Sequence, residues 1–141
     1  MKKQNIRKLL DYLPLTCLII SAFSLLLARL NGQILLQVRH IVGLAALLLP
    51  LTLFFVRHKL GVLATGLVIL IGLFGGLSYS PAITTTTIGK TWGDSQITLL
   101  YFQPIFIIWA ILHFIVSGRY YTGVASKRYW NNLSSDKPLK I

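Results

Sequence analysis

The sequence predicts an all-α integral membrane protein whose four transmembrane helices form two antiparallel hairpins, with both termini cytoplasmic. Three observations carry this expectation. Hydrophobic residues fill 55% of the 141 positions and mean hydropathy is +0.70. A soluble domain of this size would expose large apolar patches, whereas lipid accepts such a composition. The apolar residues gather in four runs that approach the roughly 20 residues needed to cross a hydrocarbon core of about 30 Å. Finally, the 14 Lys and Arg residues, set against 3 acidic residues, flank those runs unevenly.

The predicted spans cover residues 12–28, 35–56, 60–79 and 97–117, followed by a basic tail over 118–141, all within one domain. Lys2, Lys3, Arg7 and Lys8 precede the first span in the manner of a signal peptide. The run ends Leu26-Leu27-Ala28-Arg29, which lacks the small residues that cleavage needs, so the span is expected to be retained. Asn31-Gly32 signals a tight turn into the second span. That span has its purely apolar part at Ile41–Val56 and extends back to Leu35, so that Arg39 snorkels outward. Arg57-His58-Lys59 is a very short turn before the third span. Residues 81–96 form the long loop, whose β-branched run Ile83–Ile88 favours an extended segment over the outer face, with Trp92 as an interfacial anchor. With the N-terminus inside, eleven basic residues lie on the inner side and three (Arg29, Arg39, Lys90) on the outer. The positive-inside rule then places both termini in the cytoplasm, and the expected location is a bacterial inner (plasma) membrane.

Small residues let membrane helices approach closely. Gly72, Gly76 and Ser80 recur at four-residue spacing in the third span, and Cys17, Ser21, Ser24 and Ala28 form a stripe on the first. Both stripes are candidate packing or partner interfaces. In the fourth span Phe102, Phe106, Trp109 and His113 share a face. His113 is an intramembrane ionisable group, which marks it as a candidate for function as well as for a satisfied or snorkelling histidine. Gln103-Pro104 reads as a kink with one interhelical hydrogen bond, or as the lining of a polar cavity. Arg39 and His40 open the second span, where a cationic vestibule is the sharper reading. Gln103 and His113 stand ten residues apart, about 80° apart in azimuth and about 15 Å along a helix axis, so they do not make one compact site.

Several function classes find little support. Acid–base chemistry needs positioned titratable groups, yet Asp11, Asp94 and Asp136, the only carboxylate side chains, fall outside the predicted spans. Gly76-Leu77-Ser78-Tyr79-Ser80 lacks the final glycine of a nucleophile elbow. Thr87-Ile88-Gly89 is followed by Lys90, which would repel the cations of a selectivity filter. Cys17 is the single cysteine, and no metal-ligand spacing is visible. No enzyme activity, cofactor or nucleic-acid partner is therefore expected. Tyr120, Tyr121, Tyr129 and Trp130, mixed with Arg119, Lys127 and Arg128, read as an interfacial belt on anionic lipid. The expected function is that of a non-catalytic membrane component or partner-binding subunit. Its expected partners are the bilayer, anionic lipids of the cytoplasmic face, and a membrane protein or second copy. The alternative is a small-solute or ion transporter or channel acting as a homo-oligomer.

Overall fold

The structure is a computed structural model of the chain. It describes residues 8–80, 86–92, 95–122 and 124, with backbone only for 86–92 and 95–102. The described residues are predominantly helical. Helices α1 (Leu13–Leu30), α2 (Val38–Val56), α3 (His58–Leu73) and α4 (Pro104–Ser117) are joined by an antiparallel pair of strands, β1 (Thr86–Trp92) and β2 (Ser95–Phe102), and a 3-10 turn follows at Gly118–Tyr120.

Two helical stretches are long and apolar enough to cross a membrane, Lys8–Leu30 with 23 residues and Val38–Val56 with 19. α1 ends where Gly32 adopts φ +70°, letting the Gln33 N–H reach the Ala28 carbonyl. At the start of α2 the His40 N–H donates to the Gln37 carbonyl at 2.9 Å, and the Gln37 N–H donates in return to His40 Nδ1 at 3.1 Å. Arg57, in an extended conformation, is the one residue between α2 and α3.

Named contacts fix the helix directions. The Phe54 ring lies where a side chain on Gly61 would fall, and Tyr79 reaches back to the Gly43 carbonyl, so α2 and α3 run antiparallel. The Phe106 ring fills the space beside Gly72, while His113 lies beside Gly66, so α3 and α4 are antiparallel as well. Tyr12 stacks on Phe54 at 4.8 Å, bringing the start of α1 to the end of α2. α1 contributes Leu15, Leu18, Ala22, Leu25 and Ala28, spaced three or four apart on one face. The core gathers Leu18, Leu47, Val68, Ile69, Leu77, Tyr79, Phe106 and Trp109.

The fold revises several expectations. The third helix stops at Leu73 rather than Tyr79 because Gly75 turns the chain at φ +77°. Gly72, Gly76 and Ser80 thus share no helical stripe. Gly72 is buried against Phe106, but Gly76 is exposed outside the helix. On α1 the buried face is the Leu15–Leu18–Ala22–Leu25 face. Ser24 is exposed and Ser21 half-buried, and their hydroxyls return to the carbonyls of Ile20 and Cys17. The fourth helix starts at Pro104, not residue 97, since residues 95–102 pair as β2. Pro104 begins this helix instead of kinking it, at a position where a missing N–H costs nothing. The tail beyond Val124, with Lys127 to Trp130, lies outside the described residues, as do residues 81–85.

Candidate functional site: a buried aspartate at one end of the helices

Asp11 precedes α1, and its side chain is fully buried. A carboxylate removed from water must recover its lost hydration from protein donors. Ser117 Oγ, at the end of α4, donates to Oδ1 at 3.0 Å. Three groups donate to Oδ2: Arg119 Nη2 at 2.6 Å, the Tyr120 hydroxyl at 2.8 Å and His58 Nε2 at 3.1 Å. One side chain therefore ties together the segment before α1, the α2–α3 connection and the end of α4. Rings enclose the site, with His58 edge-on to Tyr12, Phe54 and Tyr120 at 5.1, 5.4 and 6.0 Å. Arg119 lies 4.9 Å from the centre of the Tyr120 ring. Burial, followed by the bond to Asp11, pushes the Tyr120 phenol up to about 12, so at neutral pH it remains a donor.

Four donors converge on the carboxylate, three on Oδ2 and one on Oδ1, so Oδ2 is crowded and Oδ1 keeps one of its two lone-pair directions. Ser117 and His58 bond different oxygens of the same carboxylate, which is not the serine–histidine–carboxylate relay of a hydrolase.

One turn before Ser117 on α4, His113 is buried, and Nε2 stands 2.6 Å from the Tyr121 hydroxyl. Gly66 makes this pair possible, because a Cβ there would fall 1.8 Å from that hydroxyl. Among the described residues, His113 Nδ1 is the one buried side-chain nitrogen or oxygen with no partner.

A second polar cluster closes the opposite end. Residues Leu77–Tyr79 are buried without regular structure, so their backbone needs partners from elsewhere. The Gln103 amide donates to the Leu77 carbonyl at 2.8 Å, and the Ser78 N–H donates to the Arg39 carbonyl at 3.1 Å. His40 accepts at Nδ1 from Gln37, which leaves Nε2–H to donate to the Ser80 carbonyl at 3.0 Å. The Tyr79 hydroxyl donates to the Gly43 carbonyl at 2.7 Å.

Of the polar candidates read from the sequence, His40 and Gln103 meet at this far cluster. His113 lies toward the aspartate end, and Arg39 is exposed. Neither Ser21 nor Ser24 joins a site. Sequence reasoning missed Asp11, His58 and Ser117, and it read Arg119, Tyr120 and Tyr121 as part of a lipid belt, whereas the first two turn inward to Asp11 and the third to His113. The available signal was Asp11 itself, a lone acid amid basic residues yet flanked by Leu9, Leu10 and Tyr12. Comparison with protein-family models, with curated proteins and with solved structures finds no match for this chain.

Proposed function

We propose that this chain is a four-span membrane component with no catalytic activity of its own, working through contact with another membrane protein or a second copy of itself. The observation that best supports this reading is how its buried polar groups are used. Asp11 accepts from four donors of the same chain, and Gln103, His40 and Tyr79 bond to its backbone carbonyls. A site built for substrate keeps donors and acceptors directed at the place substrate will occupy. Here they hold the two ends of the helices together.

In this reading the aspartate end faces the cytoplasm of a bacterial cell, and the hairpin end faces outward. Lys8, Arg57, Lys59 and Arg119 accompany the first end, Arg29 and Arg39 the second. The basic end attracts anionic headgroups. α3, at 16 residues, measures about 24 Å. The buried segment Leu77–Tyr79 completes that crossing in this reading, since irregular backbone at membrane depth is tolerated where protein surrounds it.

The test is a cross-linked, detergent-solubilised pull-down from native membranes. A stoichiometric membrane-protein partner, or a discrete homo-oligomer without a water-filled path, supports the proposal. The second reading, transport by a homo-oligomer, is favoured by one observation, the unpartnered Nδ1 of His113. His113→Phe separates the two. Complete loss of a cellular phenotype at unchanged membrane abundance would replace the component reading with transport.

A further inference from the structure

The two strands pair with each other, and among the described residues neither shares an extensive interface with a helix. An isolated hairpin is marginal in water, so this one invites a question about what supports it. The register answers part of it. Thr86 pairs with Phe102, Ile88 with Leu100, Lys90 with Ile97 and Trp92 with Ser95, while Gly89 pairs with Thr98 and leaves Leu99 as a bulge.

Strict alternation would set Ile97 and Leu100 on opposite faces. The extra residue shifts the alternation by one, which brings Ile88, Trp92, Ile97, Leu100 and Phe102 to a single face, shared with Thr86, Lys90 and Ser95. The other face carries Thr87, Gly89, Thr91, Gln96, Thr98 and Tyr101. The bulge thus converts an irregular sequence into an amphipathic ribbon.

We propose that the apolar face of this hairpin lies on the outer leaflet of the membrane, in its interfacial zone, as an anchor beside the helices. The inference rests on the membrane reading above. Two features of the chain favour lipid as the occupant. The first is continuity. Phe102 leads directly into Gln103, whose N–H and side chain bond the Leu73 and Leu77 carbonyls at the end of α3. The apolar face therefore starts where the helices reach the membrane edge. The second is Lys90, which shares the face with Trp92 and the aliphatic residues. Against a second copy, a lysine within an apolar sandwich would lose its hydration without gaining a counter-charge. The interfacial zone of a bilayer, by contrast, favours both lysine and tryptophan, and its phosphates supply the counter-charge.

The experiment uses the full chain in a Cys17→Ala background, reconstituted into vesicles of phosphatidylcholine and phosphatidylglycerol. Nitroxide labels are placed on single cysteines at Ile88 and Ile97 (apolar face), Thr87 and Thr98 (polar face), and Ile115, which is exposed on α4. Collision with dissolved oxygen reports lipid, and collision with a water-soluble nickel complex reports water. The expected oxygen-to-nickel ratio is several-fold higher at Ile88 and Ile97 than at Thr87 and Thr98. Nickel access at all four hairpin sites, with Ile115 in lipid, would overturn the anchor alone. Protection of Ile88 and Ile97 from both reagents, with spin–spin broadening, would replace lipid by a second copy. Nickel access at Ile115 as well would overturn the membrane reading with it.

Discussion

Removing the Asp11 carboxylate should loosen one end of the molecule. Asp11→Ala deletes the acceptor of four hydrogen bonds, one of them from the Arg119 guanidinium and one from the buried Ser117 hydroxyl. Breaking a buried pair by deleting one partner costs about 3–5 kcal/mol when the survivor remains buried. Arg119 and His58 keep partial solvent access, with side chains 32% and 21% exposed, so they recover some hydration. The expected loss is therefore about 2–3 kcal/mol. Asp11→Asn keeps a carbonyl acceptor and loses the charge, and it should cost about 1–2 kcal/mol, the difference between charge-assisted and neutral hydrogen bonds. Cys17, half-buried on α1 and the single cysteine, provides the assay. Thermal unfolding in detergent is followed by its reaction with a thiol-activated fluorophore. A double-mutant cycle between Asp11 and Arg119 should give a coupling above about 0.5 kcal/mol. Additive effects, together with a loss below about 0.5 kcal/mol for Asp11→Ala, would refute the view that this carboxylate holds the end closed.

Bulk at Gly72 should be damaging, since a Cβ there would fall 2.0 Å from the Phe106 ring; Gly72→Val is expected to cost about 1–3 kcal/mol in the same assay. Gly76→Leu should cost less, since its exposed position meets only Ile71, with Cγ2 at 2.8 Å from a Cβ there, while Leu77→Ala, at a fully buried site, should cost about 2 kcal/mol or more. Gln103→Leu orphans the Leu77 carbonyl and should lower stability by about 1 kcal/mol, read as a fall in unfolding temperature at constant membrane abundance. The raised Tyr120 phenol predicts a pH dependence of defined sign. Its folded value of about 12 exceeds an unfolded value near 10, so its contribution is fully present below about pH 10 and is lost as pH rises through about 12. The stability difference between wild type and Tyr120→Phe should be flat from neutral pH to about 9 and shrink above about 10; a shrinkage between pH 7 and 9 would contradict this assignment.

Hydropathy made α1 and α2 legible, because Asn31-Gly32 and Arg57-His58-Lys59 punctuate otherwise continuous apolar runs. The same measure misled at the ends of the third and fourth runs. Leu77 and Tyr79 are as buried as any helical core residue but lie beyond Gly75, and an apolar run alone does not separate a helix from a buried extended segment. Ile97–Phe102 is apolar too, yet pairs as a strand whose partner, Thr86–Lys90, precedes it by a loop. His40, Gln103 and His113 stood out because polar groups in apolar runs are conspicuous. Asp11 did not, because its partners lie 47 to 109 residues away and nothing local marks them.

The proposed four-span arrangement requires the two ends of the helices to lie on opposite sides of a membrane. Single cysteines at Thr86, in the hairpin, and Ser135, in the basic tail, placed in a Cys17→Ala background, test this directly. An impermeant maleimide added to sealed cells should label Thr86→Cys without disruption and Ser135→Cys only after the membrane is opened. Labelling of both from outside would contradict the four-span arrangement.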